Sequence, residues 1–271
     1  MPPLDLAIPP TDMSSTVPAM PELIAPAHWR TVEFISDLHL DPDEPATVQA
    51  WCDYLSSSQA DAIFLLGDIF EVWVGDDALL EADSFEAKCA QTLSTASARR
   101  SLFFMVGNRD FLAGDAFLQA TGMTGLADPT VLAWGERRMV LSHGDALCLD
   151  DVEYQQFRAL SRSAAWQQQL LSQPLAVRRA IGKSARSESA QRKQSGATYA
   201  DADPGMTASW LQQARAQWLI HGHTHRPADH ALPDGRMRIV LSDWHIDSNH
   251  HRAEILRVTP TTWERIPFPG G

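Results

Sequence analysis

Five short apolar runs in this chain each end in a cluster of residues able to bind a metal. Thr31–Ser36 leads into Asp37-Leu38-His39, and Ala62–Leu66 leads into Gly67-Asp68. Leu102–Val106 leads into Gly107-Asn108-Arg109-Asp110, and Arg137–Leu141 into Ser142-His143-Gly144-Asp145. Gln217–Ile220 leads into His221-Gly222-His223-Thr224-His225. Continuous apolar runs such as Ala62–Leu66 read as strands buried on both faces. In open α/β sheets, ligands bind outside the carboxyl ends of the strands. Five such ends predict an α/β chain whose polar clusters converge on one place. Three histidines in five residues contribute little as core, because each buried ring nitrogen needs a partner. Gly222 is expected to let the backbone turn sharply there, so that neighbouring imidazoles share a centre.

Between these runs the periodicity changes. Pro45–Ser57, Ser84–Ala98 and Asp115–Thr121 read as helices, and Val131–Trp134 with Arg137–Leu141 as a hairpin around Gly135-Glu136. Residues 151–215 contain no strand-like run and read as a helical insertion, with helical segments around Val152–Arg162, Trp166–Leu171, Leu175–Ile181, Ser187–Lys193 and Thr207–Ala214. Strands resume at Gln217–Ile220, Met237–Leu241, Ala253–Val258 and Thr262–Ile266. Residues 1–29 hold seven prolines without periodicity, which predicts a disordered extension before a single domain over 30–271.

Charge is unevenly distributed. The net charge of -12 argues against a general nucleic-acid binder, which needs a basic footprint. Residues 152–200, however, hold eight Lys/Arg and two acids. Their basic positions alternate with Trp166, Leu170, Leu171, Leu175, Val177 and Ile181, as an amphiphilic anionic substrate or an anionic bilayer would require. An ordinary amphipathic subdomain explains the same pattern equally well. Cys52, Cys89 and Cys148 are too scattered for a disulfide framework or zinc knuckle, which suits a reducing cytoplasm. No apolar run is long enough for a membrane span, and the N-terminus lacks a secretory pattern.

The candidate ligands are Asp37, His39, Asp68, Asn108, His143, His223 and His225. Two carboxylates, one amide oxygen and four imidazoles exceed the needs of one four-coordinate ion and suit two ions sharing a carboxylate. A mixed nitrogen and oxygen set without thiolate favours Mn, Fe, Zn or Co over Mg or Ca. Two such ions clamp the attacking and leaving oxygens of a displacement at phosphorus. Taken singly, Asp37 could be a cap, Asp68 and Asn108 turn residues, and His143 a structural histidine. Asp43, Glu44, Asp76, Asp77, Asp83, His245, His250 and His251 read as surface.

Together the five motifs resemble the calcineurin-like metallophosphoesterases, in the right order over residues 31–245. That resemblance implies a β-sandwich flanked by helices. The family usually carries His after the Asn of its third motif, where this chain has Arg109. With that departure, the strings GDIFEVWVGDD (67–77), GNRDFL (107–112), HGDALCLDDVEYQQFR (143–158) and WLIHGHTHRPADH (218–230) are similar to the UDP-2,3-diacylglucosamine diphosphatases of lipid A biosynthesis.

The narrower resemblance implies cleavage of UDP-2,3-diacylglucosamine to UMP and 2,3-diacylglucosamine 1-phosphate, by hydroxide held between two Mn2+ ions attacking the α-phosphorus. It implies one ion on Asp37, His39, Asp68 and His225, and the second on Asp68, Asn108, His143 and His223. Arg109 is then a phosphate contact. Asp151, Ser187, Gln191 and Lys193, with Asn108 and His223, are implied substrate contacts, the register over 184–196 being loose. The insertion becomes a lid over the acyl chains. The implied setting is cytoplasmic, peripheral on the inner membrane of a Gram-negative bacterium, as a monomer. A soluble phosphodiesterase with the same metal core, indifferent to acyl chains, is the rival reading. A non-catalytic binding module would tolerate degraded motifs, whereas every ligand position here is filled.

Overall fold

The computed structural model describes residues 17–194 and 200–268, with residues 188–194 described by their backbone alone. In chain order the strands and helices are β1 (Glu22–Ile24), β2 (Val32–Ile35), α1 (Pro45–Ser57), β3 (Ala62–Leu66), α2 (Phe85–Ser97), β4 (Ser101–Met105), α3 (Asp115–Thr121), β5 (Thr124–Leu126), β6 (Thr130–Trp134) and β7 (Arg137–Ser142). They continue with α4 (Val152–Ser161), α5 (Ala164–Leu171), α6 (Leu175–Gln194), α7 (Pro204–Gln213), β8 (Trp218–His221), β9 (Ala228–Ala231), β10 (Met237–Val240), β11 (His245–Ile246), β12 (His251–Arg252), β13 (Glu254–Val258) and β14 (Trp263–Pro267).

Two six-stranded sheets, ordered β14-β13-β2-β3-β4-β5 and β1-β6-β7-β8-β10-β9, form a sandwich. Phe34, Phe64, Phe103 and Leu256 of the first sheet pack with Leu132, Leu141, Ile220 and Ile239 of the second. Alternate residues of the same strands face outward. Ile35, Ile63, Leu65 and Phe104 pack beneath α1, α2 and α3 through Trp51, Leu93 and Phe117. Val131, Val140 and Leu219 pack beneath α7 through Trp210 and Leu211. A strand covered on both faces must be apolar at every position, which is why β3 reads AIFLL without alternation. The sandwich and its flanking helices match the expected α/β class.

Three boundaries differ from expectation. Of the expected 1–29 extension, residues 1–16 lie outside the described residues, while residues 17–29 belong to the fold: β1 pairs in parallel with β6, and Ala25 and Trp29 are buried against the sandwich. Three residues among prolines carry no periodicity to read, so this edge strand is invisible in the sequence. The insertion is also shorter than 151–215, because α7 covers the second sheet, and α5 joins the core beneath the other helices through Leu170 and Trp166. Finally, the segments expected at Leu175–Ile181 and Ser187–Lys193 are one continuous helix, α6. Among the described residues, no helix is long and apolar enough to cross a membrane.

Candidate metal centre

β2, β3 and β4 are parallel neighbours in one sheet, and β7 and β8 are parallel neighbours in the other. Their carboxyl ends meet at one edge of the sandwich, where all seven expected ligands come together. Asp37 and His39 follow β2, Asp68 follows β3, Asn108 follows β4, His143 follows β7, and His223 and His225 follow β8. The segments are tied across the gaps. Asp37 N–H donates to the Gly67 carbonyl at 3.0 Å, His39 N–H to Asp68 at 3.0 Å, and Gly222 N–H to His143 at 2.9 Å.

The ligand residues share an unusual backbone. Asp37, His39, Asp68, His223 and His225 all have positive φ, between 48° and 65°, and Arg215 is the one other described non-glycine residue to do so. Each such residue costs on the order of 1–3 kcal/mol and persists where the surroundings over-determine it. Gly222 plays a different part from the one expected. Its own φ is not left-handed; a Cβ there would collide with the Asp37 carboxylate and the Ser36 hydroxyl. At Gly67 both demands apply, since φ is +88° and a Cβ would lie 2.5 Å from His143 Nδ1.

Donor atoms converge in two overlapping groups. Ligand atoms of Asp37, His39 and His225 lie within 4.8 Å of one another, as do those of Asp37, Asp68 and His143. His39 Nε2 faces His225 Nε2 at 3.2 Å, and His225 Nε2 lies 3.5 Å from Asp37 Oδ1. Asp68 lies between the groups: its Oδ2 is 4.0 Å from His39 Nε2 and its Oδ1 is 3.7 Å from His143 Nε2. On the far side, Asn108 Oδ1 is 3.0 Å from His143 Nε2 and 2.8 Å from His223 Nδ1.

Proton positions follow from the opposite ring nitrogens. His143 Nδ1–H donates to the Leu66 carbonyl at 3.0 Å, so Nε2 is the nitrogen turned toward the centre. His39 Nδ1 faces Glu71 Oε2 at 2.9 Å, and His225 Nδ1 faces Asp243 Oδ2 at 3.6 Å. Carboxylates behind the rings place the protons there, and the front nitrogens face each other as acceptors. Acceptors pointed at acceptors call for cations between them, so this donor set fits the divalent metals expected.

The field has the same sign. Burial pulls His143 down, but the charges of Asp68, Asp145 and Asp37 push it up to about 9. Burial and the neighbouring His143 push His223 down to about 4. Burial pushes Asp37 up, but the His225 hydrogen bond and the nearby imidazoles outweigh it and hold the carboxyl well below its usual range. Buried carboxylates therefore attract positive charge into the centre.

The profile of the calcineurin-like phosphoesterases matches residues 31–227. The chain belongs to that family. Among proteins similar to this phosphoesterase is the UDP-2,3-diacylglucosamine hydrolase of Chromobacterium violaceum, 44% identical over 79% of this chain and 90% of that protein. Proteins of the same name from Stenotrophomonas maltophilia and Xanthomonas campestris pv. campestris are 40% and 41% identical, over 86% and 84% of this chain and 96% and 95% of theirs.

Of the other expected residues, Arg109 is tied to this phosphoesterase centre. Arg109 N–H donates to Asp68 Oδ1 at 2.8 Å, and its guanidinium lies 3.9 Å from Glu71. Asp151 caps α4, accepting from Tyr154 N–H at 3.1 Å, and Ser187 is exposed on α6, with its hydroxyl donating to the Lys183 carbonyl. The side chains of Gln191 and Lys193 lie outside the described residues. His221 is turned away: it is buried, its Nδ1 is 2.9 Å from the Gly222 carbonyl, and its Nε2 is 3.5 Å from Arg238.

Sequence reading missed the supporting residues. Glu71 backs His39, Asp243 backs His225, and Ser36 donates to Asp37 at 2.5 Å. Asp110 is buried and accepts from Ile69 and Gly107 N–H, at 2.7 and 2.6 Å, fixing the two glycine-containing turns. Asp145 is buried and accepts from Tyr154 and Arg158, and the Tyr154 ring lies 5.6 Å from His223. Asp110 and Asp145 stood inside the quoted motifs, so their place there was an available signal. Asp76 and Asp77, expected as solvated surface, are partners as well. Asp76 accepts from Gly114 and Phe117 N–H at the start of α3, and Asp77 pairs with Arg178.

Proposed function

We propose that this chain hydrolyses the pyrophosphate of UDP-2,3-diacylglucosamine, releasing UMP and 2,3-diacylglucosamine 1-phosphate. The observation that carries the reading is Asp68, whose two oxygens face His39 on one side and His143 on the other. Relatives bearing the name UDP-2,3-diacylglucosamine hydrolase supply the substrate.

In this reading Asp37, His39, Asp68 and His225 would hold one Mn2+, and Asp68, Asn108, His143 and His223 would hold the other. Such a pair supplies Lewis-acid stabilisation of phosphoryl oxygens and a water of lowered pKa. The chain's own residues do the remainder. Arg109 offers a planar fork of donors to the pyrophosphate oxygens and stabilises charge that grows during displacement. Glu71 and Asp243 hold the imidazoles of His39 and His225 in one orientation. Tyr154 flanks His223 and links the ligand shell to α4.

Helices α4–α6 form the lid. Val152, Phe157, Leu171 and Ile181 leave large apolar surfaces exposed there, suited to two acyl chains. Asp151, Ser187, Gln191 and Lys193 stand along the same helices as polar substrate contacts. The same exposed apolar face would let the enzyme rest on an anionic membrane surface on the cytoplasmic side of the inner membrane, as a monomer.

Turnover in water enriched in heavy oxygen tests the direction of attack. Attack at the α-phosphorus places the label in UMP. Label confined to the lipid phosphate would contradict it.

A further inference from the structure

A second, smaller cluster of metal-competent side chains lies outside the centre just described. β11 and β12 form a short antiparallel hairpin, with His245 opposite Arg252 and Ile246 opposite His251. Its loop carries Asp247 and His250. Ligand atoms of His245, Asp247 and His250 all lie within 4.8 Å of one another. Asp247 Oδ1 accepts from Asn249 N–H at 2.6 Å and His250 N–H at 2.7 Å, which fixes the carboxylate. Its Oδ2 is 3.0 Å from His245 Nε2 and 3.3 Å from His250 Nδ1.

The far side of His245 is also engaged. Its Nδ1 lies 3.3 Å from Glu44 Oε2, at the start of α1. A carboxylate behind one ring nitrogen keeps the proton there and presents the other nitrogen as a ligand, the arrangement that orients histidines in metal sites. His245 Nε2 then points its lone pair at a carboxylate oxygen, on which a second imidazole also converges. One cation satisfies all three. The spacing suits a small ion: ligands about 2.05 Å from a tetrahedral zinc stand about 3.3 Å apart. Two edges of this triangle, 3.0 and 3.3 Å, are close to that figure. The side chains of His250 and Asp247 are 69% and 41% exposed, so water can complete the shell and an ion can enter.

We propose that His245, Asp247 and His250 form a second metal site, selective for a borderline divalent cation of the zinc class, with Glu44 orienting His245. Two imidazoles and one carboxylate without thiolate favour zinc, cobalt, nickel or copper over magnesium or calcium. The site shares no residue with the strand-end centre. It joins the β11–β12 hairpin to the first turn of α1, a connection also made by Ile246 N–H donating to Thr47 Oγ1 at 3.1 Å.

Equilibrium dialysis of the full chain against buffered Zn2+ tests this. The unmodified protein should hold one zinc ion per chain more than a variant carrying His245→Ala and His250→Ala. Hydrolytic activity of the two after identical metal loading should agree within about twofold, since neither histidine touches the strand-end centre. Equal zinc content would overturn the site. A second measurement needs no variant. Carbethoxylation of His250, read by peptide mass spectrometry, should fall several-fold when Zn2+ is added to Mn2+-loaded protein. Unchanged labelling of His250 would overturn the proposal as well.

Discussion

Glu71 shows how much of the centre depends on a residue that ligates nothing. It lies 2.9 Å from His39 Nδ1, 3.9 Å from Arg109 and 3.1 Å from Arg186 of α6. One carboxylate thus orients the His39 imidazole, steadies the Arg109 guanidinium and receives α6 through Arg186. Glu71→Gln keeps the shape and removes the charge. The expected outcome is a loss of metal affinity or activity of roughly 10–100-fold, the range for the partner behind a ligating histidine. Metal titration followed by turnover at saturating metal separates the two effects, and unchanged values for both would show that Glu71 is dispensable. Its place could not be read from the sequence, because nothing in GDIFE distinguishes a carboxylate behind a ring from a solvated one. The seven candidate ligands were legible for the opposite reason. Each follows an apolar run, and buried strands leave few other places for imidazoles and carboxylates. The backbone strain at five of them was not legible, because none is a glycine.

At the scale of elements, the insertion carries the most revision. Its arginines looked available for an anionic substrate. Instead Arg158 and Arg162 face Asp145, Arg178 chelates Asp77 and donates to the Val74 carbonyl, Arg179 pairs with Glu81, and Arg186 pairs with Asp41. These five arginines therefore fasten α4–α6 to an acidic body, while among the described residues Val152, Phe157, Leu171 and Ile181 are left exposed. A composition count shows the excess of arginine but not its partners, which are 13 to 145 residues away. Arg178 is the best test because its side chain is only 3% exposed. Arg178→Ala should destabilise the docking of α6 by about 1–3 kcal/mol, the cost of leaving its buried acceptor unpaired. Limited trypsin digestion should then cut at Arg179 and Lys183 faster than in the unmodified chain. An unchanged digestion rate would show that this contact does not hold the lid. By contrast, α1 and α3 occupy their expected ranges, since Pro at the first turn and Gly after the last turn mark helix ends in any context.

For the whole molecule, the layered order of helices, two sheets and helix follows from strands buried on both faces, but the pairing of two sheets needed the family resemblance. Periodicity gives faces and not partners, and β1, β5 and β9 are too short or too polar to signal a strand. The second sheet is fastened to its flank by Arg238, which pairs with Asp201 before α7 at 2.7 Å. Burial raises the Asp201 carboxyl, but hydrogen bonds from Arg238 and Ala202 N–H lower it from 3.8 to about 2. A carboxyl with a lowered folded-state pKa contributes stability above its unfolded value and loses it as pH falls toward the folded one. Asp201→Asn should therefore be less stable than the unmodified chain at about pH 5, and the two should converge by about pH 2. Denaturant melts at both values check this, and a constant difference would contradict it.

The proposed function requires two metals, one bridging carboxylate and a lipid-linked nucleoside diphosphate to meet at the strand ends. Release of UMP from UDP-2,3-diacylglucosamine, with Mn2+ supplied or chelated, tests all of these together. Release should be lost on chelation and restored by Mn2+. An intact lipid substrate beside rapid cleavage of simple phosphodiesters would contradict it, leaving the metal centre without its proposed substrate and the apolar face of α4–α6 without a role.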